Sequence, residues 1–196
     1  LQKSPCHLVL TPDSYQVLQV EKPAVPDDEL RDAARWRVRD MLDYPLDEAV
    51  IDCFAIPSDA LRGRQAQLSV VCARKNVLQD LVGLVEAAGL RLRSIDITEL
   101  ALRNLLALRG EDNTMQCVLL LTAEGGLILL LKQGSVYLSR KLEKGRFRMG
   151  PGMDPDVARQ MIALEVQRSF DYLESQLAQV PPNTIHMATD FQETEL

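Results

Sequence analysis

The chain has 196 residues, 46% hydrophobic and 26% charged, enough to bury an ordinary core in one large or two small domains. Its formal net charge of −6 argues against a general nucleic-acid binder, which needs a basic face, and an aromatic content of 5% argues against a base-stacking platform. Four scattered cysteines, Cys6, Cys53, Cys72 and Cys117, each in or beside an apolar run, suit reduced buried thiols rather than a disulfide framework.

In chain order, 7–20 predicts two short strands about a Thr-Pro-Asp-Ser turn, a hairpin. Prolines make 21–26 an extended linker. A helix is predicted over 27–42, capped by Asp27, with Leu30, Ala34, Val38, Met41 and Leu42 as its buried stripe. Arg31, Arg35 and Arg39 would form its exposed face, paired in part with Asp28 and Asp32. Strands follow at 49–56 and 66–73, then a helix at 76–89 stopped by Gly89, and a strand at 90–97. Thr98 is expected to cap a helix over 99–108. Residues 117–143 predict three strands and two turns. Asp154-Pro155 opens a long helix to about Gln179, and 183–188 is a last strand. The most apolar stretch, 117–131, is too short for a membrane span, and nothing resembles a signal peptide. Opening at Leu1 without methionine, the chain reads as part of a longer protein.

Little of this points to catalysis. His7 and His186 have no Cys, Asp or Glu at ligand spacing, so no metal is expected. There is no Gly-X-Ser-X-Gly elbow and no Walker loop. The basic stretch Arg140, Lys141, Lys144, Arg146 and Arg148 reads either as an anion contact at the start of the long helix or as a solvated strand edge.

The segment "AARWRVRDMLDYPLDEAVIDCFAIP" (33–57), with Trp36, Pro45, Glu48, Asp52 and Phe54, resembles the inserted subdomain of the PilM group of actin-like pilus-assembly proteins. Three further stretches are similar in the same order. They are 70–106 with its Ala-Gly-Leu turn, the strand carrying Arg140, and the long helix with Glu165, Arg168 and Ser169. Within the group the likeness runs to the MSHA (mannose-sensitive haemagglutinin) pilus branch. The cytoplasmic domain of type II secretion L proteins is the relative most easily confused with it.

The resemblance implies an α/β protein with mixed sheets, an actin-like (ribonuclease H-like) two-lobe fold with an inserted subdomain. Residues 1–21 and 95–115 would belong to the first lobe, 22–94 to the insertion and 116–196 to the second lobe. It implies a cytoplasmic scaffold beneath an inner-membrane platform, which binds the N-terminal tail of a single-pass, PilN-like membrane protein and has an assembly ATPase as a further partner. The tail's groove would be bordered by 7–20 and by Tyr44, Pro45 and Leu46. Those side chains read equally well as closing the core under the helix end. Trp36 is expected to be at least half buried.

Nucleotide-binding members place Asp-X-Gly in the turn at 122–126. Here Thr122 stands at the aspartate position, followed by Ala123, Glu124, Gly125 and Gly126. Such a turn holds phosphate on backbone N–H groups while the aspartate orients hydrated magnesium. With that acid absent, a vestigial turn and no cofactor are expected. An active ATPase using Glu124 is the alternative.

Overall fold

In the computed structural model of the protein, residues 4–60, 65–110, 113–122, 125–142 and 154–189 are described. The chain forms two compact units, Leu1–Ala101 and Leu102–Leu196.

The first unit holds two sheets. Strand β1 (Pro5–Leu10) and strand β2 (Tyr15–Glu21) flank a 3-10 turn at Pro12–Ser14, yet they do not form the predicted hairpin. No residue between them has a positive φ, so the chain cannot reverse through the tight primed turn that matches strand twist. Instead β1 runs parallel to β5 (Arg91–Ile97), with Leu8 opposite Ile95 and Leu10 opposite Ile97. β2 pairs antiparallel with β4 (Gln67–Arg74), which pairs on its other side with β3 (Ala49–Ala55).

The helix predicted over 27–42 is shorter. Helix α1 spans Leu30–Val38 and runs into a 3-10 turn at Arg39–Met41. Asp27 is not the cap, because the helix starts after Glu29; its carboxylate lies 3.3 Å from Lys22 Nζ instead. Ala34 and Val38 are fully buried with Leu68, Val70 and Cys72, and Leu30 packs beside them. Met41 of the expected stripe is exposed, since the 3-10 turn breaks the 100° phase. Trp36 was expected to be half buried and is 67% exposed. Two residues from Ala34 on a 3.6-residue helix is about 200° of rotation, which sends the indole away from the sheet.

The arginine face also differs from expectation. Arg35 donates to the Leu46 carbonyl at 2.7 Å and Arg39 pairs with Asp40 at 3.0 Å. Helix α2 (Lys75–Ala87) closes as predicted: Gly89 has φ 70°, and the Leu90 N–H reaches the Val85 carbonyl at 3.2 Å. At helix α3 (Thr98–Ala107), the Thr98 hydroxyl does not cap. It donates backwards to the Leu10 carbonyl at 2.8 Å, tying the helix start to β1.

The second unit has one sheet in the order β8-β7-β6-β9. Strands β6 (Gln116–Thr122), β7 (Gly125–Lys132) and β8 (Ser135–Leu142) form an antiparallel meander, and β9 (Ile185–Thr189) lies parallel to β6. Leu127, Ile128, Leu129 and Leu130 are each at most 1% exposed, so central β7 is covered on both faces, as its unbroken apolar run implies. Helix α4 (Pro155–Leu177) starts as the sequence predicts, with Asp154 accepting from the Asp156 N–H at 2.9 Å. Its own Ile162, Val166, Leu173 and Leu177 are buried.

Candidate functional site

The first unit contains a cleft of about 280 Å³ assembled from six of its elements and the end of a seventh. Its apolar lining includes Val50 and Phe54 of β3, Val71 and Ala73 of β4, Ile95 and Ile97 of β5. Alternation in β3 explains the contribution of that strand. Ile51 faces α1 and is buried, while Val50, Asp52 and Phe54 take the opposite face. Val50 and Ile95 remain 44% and 37% exposed, so part of the apolar lining is open to solvent.

Polar groups in the cleft are few. The Asp52 and Asp96 carboxylates each accept from the following backbone N–H, at 2.9 and 2.8 Å, and Arg31 of α1 joins them. Both strands that flank the cleft, β3 and β5, are edge strands of their sheets. An apolar slot whose two flanking strands have, among the described residues, no further strand on one side, with a slightly acidic rim, suits an extended peptide, which gains affinity from main-chain pairing and from apolar side chains.

A buried network stiffens one wall. The Tyr15 hydroxyl donates to the Glu99 carboxylate and accepts from the Thr98 N–H at 3.2 Å. Glu99 is 3% exposed. Burial, then the adjacent Glu99 charge, pushes the Tyr15 hydroxyl well above the usual phenol range, so it stays protonated and remains the donor. The network holds the start of α3, and with it Leu100, against β1 and β2. Neither residue was singled out in the sequence, because the two are 84 positions apart.

Tyr44, Pro45 and Leu46 do not line this cleft. Tyr44 is 8% exposed and belongs to the core with Ala34, Val38, Ile51 and Cys72; Leu46 packs against that core, and Pro45 is exposed. The Arg74 guanidinium lies 4.1 Å from the Tyr44 ring centroid and 3.3 Å from Asp43. Of the two readings of this turn, closing the core under the helix end is the one its packing matches. The tyrosine's expected polar tip is buried, and its hydroxyl has no hydrogen-bond partner among the described residues.

At the β6–β7 turn, Ala123 and Glu124 lie outside the described residues. The Thr122 hydroxyl donates to the Gly125 carbonyl at 3.0 Å. A Cβ at Gly126 would sit 2.5 Å from the Leu120 carbonyl oxygen, so glycine there is required by the close approach of the hairpin backbones. The described part of the turn offers hydroxyl and backbone groups. Among the described residues no cluster of three His, Cys, Asp or Glu side chains is placed to hold a metal.

In the same unit, residues that carried the family likeness come together. Glu165 accepts from Arg168 at 2.7 Å and lies 3.5 Å from Arg140 of β8, while the Ser169 hydroxyl donates to the Glu165 carbonyl at 2.7 Å. Arg140 is therefore a strut between strand and helix; Lys144, Arg146 and Arg148 lie outside the described residues. His7 Nδ1 meets Ser94 Oγ at 2.7 Å. All four cysteines are free, and no described helix is long and apolar enough to cross a membrane.

No protein-family profile and no curated protein matches the chain. Solved structures do. The PilM-PilN type IV pilus biogenesis complex is similar with a TM-score of 0.72 at 20% identity, over 97% of this chain and 63% of that one. The cytoplasmic domain of EpsL, an inner-membrane component of the type II secretion system of Vibrio cholerae, is similar with a TM-score of 0.57 at 12% identity, over 96% of this chain and 63% of that one. The chain thus spans less than two thirds of the length of either. At such identities the likeness establishes the fold: this is a mixed α/β protein of the actin-like class.

Proposed function

We propose that the protein is a scaffold of type IV pilus biogenesis, of the MSHA branch and MshI-like, that holds the N-terminal tail of a PilN-like, single-pass inner-membrane protein on the cytoplasmic side. The observation that carries this is the open apolar cleft between edge strands β3 and β5. The fold shared with a PilM-PilN complex supports the choice of partner. In this reading the tail lies along Val50 and Ile95, and Tyr44 and Leu46 support the cleft from the core without touching the tail. An assembly ATPase is the further partner.

Anisotropy of labelled N-terminal peptides from candidate pilus membrane proteins tests the site, with the corresponding type II secretion tails as comparison. Val50→Asp and Ile95→Asp change exposed side chains and should leave the fold intact. Each is expected to weaken a pilus tail about tenfold, the loss of one apolar contact of roughly 1.4 kcal/mol. If both variants bind as tightly as the parent chain, the tail lies elsewhere.

The same reading makes the β6–β7 turn vestigial and the protein non-catalytic. Its glycine is accounted for by hairpin packing, and the Thr122 hydroxyl by its bond to Gly125. Titration calorimetry with MgATP is expected to show no saturable heat. A saturable signal abolished by Glu124→Ala would overturn the scaffold reading in favour of an ATPase.

A further inference from the structure

The charged groups that line the cleft of the first unit are Arg31 of α1, Asp52 of β3 and Asp96 of β5. Locally, two carboxylates meet one guanidinium. Each aspartate engages one oxygen, Oδ1, with the N–H of the residue that follows it, Cys53 at 2.9 Å and Ile97 at 2.8 Å. Among the described residues neither aspartate forms an ion pair, and the second oxygen of each has no partner.

The two carboxylates differ in their surroundings. Burial, and then the Asp52 charge, raises the Cys53 thiol, while Arg31 and Lys22 act to lower it. Both cations therefore lie on the Asp52 side of the cleft. Asp52 is also exposed, so water can serve it. Asp96 is half-buried between Ile95 and Ile97, which line the cleft with it. The nearest cation along its own strand, Arg93, lies three positions back and is not among the lining residues.

Filling the cleft sharpens this difference. A tail lying along Val50 and Ile95 brings apolar atoms over the neighbour of Asp96. A carboxylate deprived of water and given no partner is costly, whereas one that meets a cation gains a charge-assisted hydrogen bond. An apolar tail without a positive group would leave Asp96 uncompensated.

We propose that Asp96 is the specificity-determining residue of the cleft, and that the tail seated there carries a cationic group held by the Asp96 carboxylate. The group is an ammonium or guanidinium, supplied by a lysine or arginine side chain or by the tail's own α-amine. This inference rests on the tail-binding reading and adds which tails are accepted. Val50 and Ile95 supply affinity through apolar contact, and Asp96 rejects neutral and acidic tails by the charge they leave unmatched.

The probes are N-terminal peptides of candidate pilus membrane proteins, labelled at their C-termini and read by anisotropy. Each is made in three forms: with a free α-amine, acetylated, and with every arginine and lysine replaced by glutamine. Asp96→Asn keeps an oxygen for the Ile97 N–H, and should weaken the unaltered peptide about tenfold. Asp96→Glu keeps the charge and should bind within about threefold of the parent. One of the two neutralised peptides should bind the parent chain about tenfold more weakly and lose nothing further against Asp96→Asn. Whichever peptide does so identifies the source of the cation. Equal binding of all three forms to the parent chain, an unchanged affinity in Asp96→Asn, or losses that simply add would each overturn the proposal.

Val50→Ser and Ile95→Ser, which remove apolar contact without adding charge, separate this inference from the reading beneath it. If they weaken the tail while Asp96→Asn and the neutralised peptides do not, the cleft holds the tail without selecting its charge, and the inference falls alone. If no form of peptide binds, or the serine variants bind as tightly as the parent, the cleft reading fails and the inference with it.

Discussion

Trp36 and Tyr44 lie eight residues apart in the stretch that carries most of the family likeness, yet the fold treats them oppositely. Trp36 is 67% exposed on α1, whereas Tyr44, just beyond the 3-10 turn, is 8% exposed among Ala34, Val38 and Cys72. Size and aromaticity do not separate them. What separates them is phase: helical rotation carries Trp36 outward, while the extended Leu42 and the bend at Asp43 and Tyr44 turn the tyrosine under the helix end. The apolar body of Tyr44 then packs on β3 and β4, and its hydroxyl is carried into the interior without a partner.

The largest expected effect falls on Tyr44. Truncating it to alanine removes a buried aromatic ring and the surface that Arg74 covers. A loss of about 3–5 kcal/mol in urea unfolding is expected. Tyr44→Phe keeps the ring and removes only the unpartnered hydroxyl, so stability should hold or rise by up to about 1 kcal/mol. A large loss from the phenylalanine variant would show that the hydroxyl is satisfied in solution and would break the contrast drawn here.

The core beneath Tyr44 also has a pH signature. Burial pushes the Cys72 thiol from the usual value up to about 11, so in the folded state the thiol stays protonated where the unfolded chain would ionise. The folded value being the higher one, the contribution is fully present below about pH 9 and is lost as pH rises from 9 to 11. The slope is roughly 1.4 kcal/mol per pH unit. Cys72→Ala should flatten that part of the stability–pH curve. An unchanged slope would mean the thiol is not sealed in as the packing indicates.

The smallest effect belongs to Trp36. Trp36→Ala should alter stability by no more than about 0.5 kcal/mol, as for surface positions without special contacts. Its parent emission should be red-shifted and nearly insensitive to unfolding. A buried-type emission in the native chain would place the indole against something, and erase the comparison.

Much of the architecture was legible along the chain. The three strands of 117–143, the Asp154-Pro155 helix start and the Gly89 helix stop all rest on local rules: alternation, capping and positive φ. The candidate cleft was much less so. Asp52 and Phe54 stood out through resemblance, but Val50, Ile95, Ala73 and Leu78 meet them only because β1 left β2 for β5 and β2 went to β4. Tyr15 and Glu99 form their bond across 84 positions.

By itself the sequence determined the kind and order of the elements and the α/β class, because helix and strand periodicities and end signals act over a few residues. Only the tertiary structure decided which strands pair, that Trp36 faces water while Tyr44 does not, and that a cleft opens between β3 and β5. Those outcomes depend on contacts between distant segments, where one turn that fails to reverse, or one residue's shift in phase, sends a side chain to the opposite face.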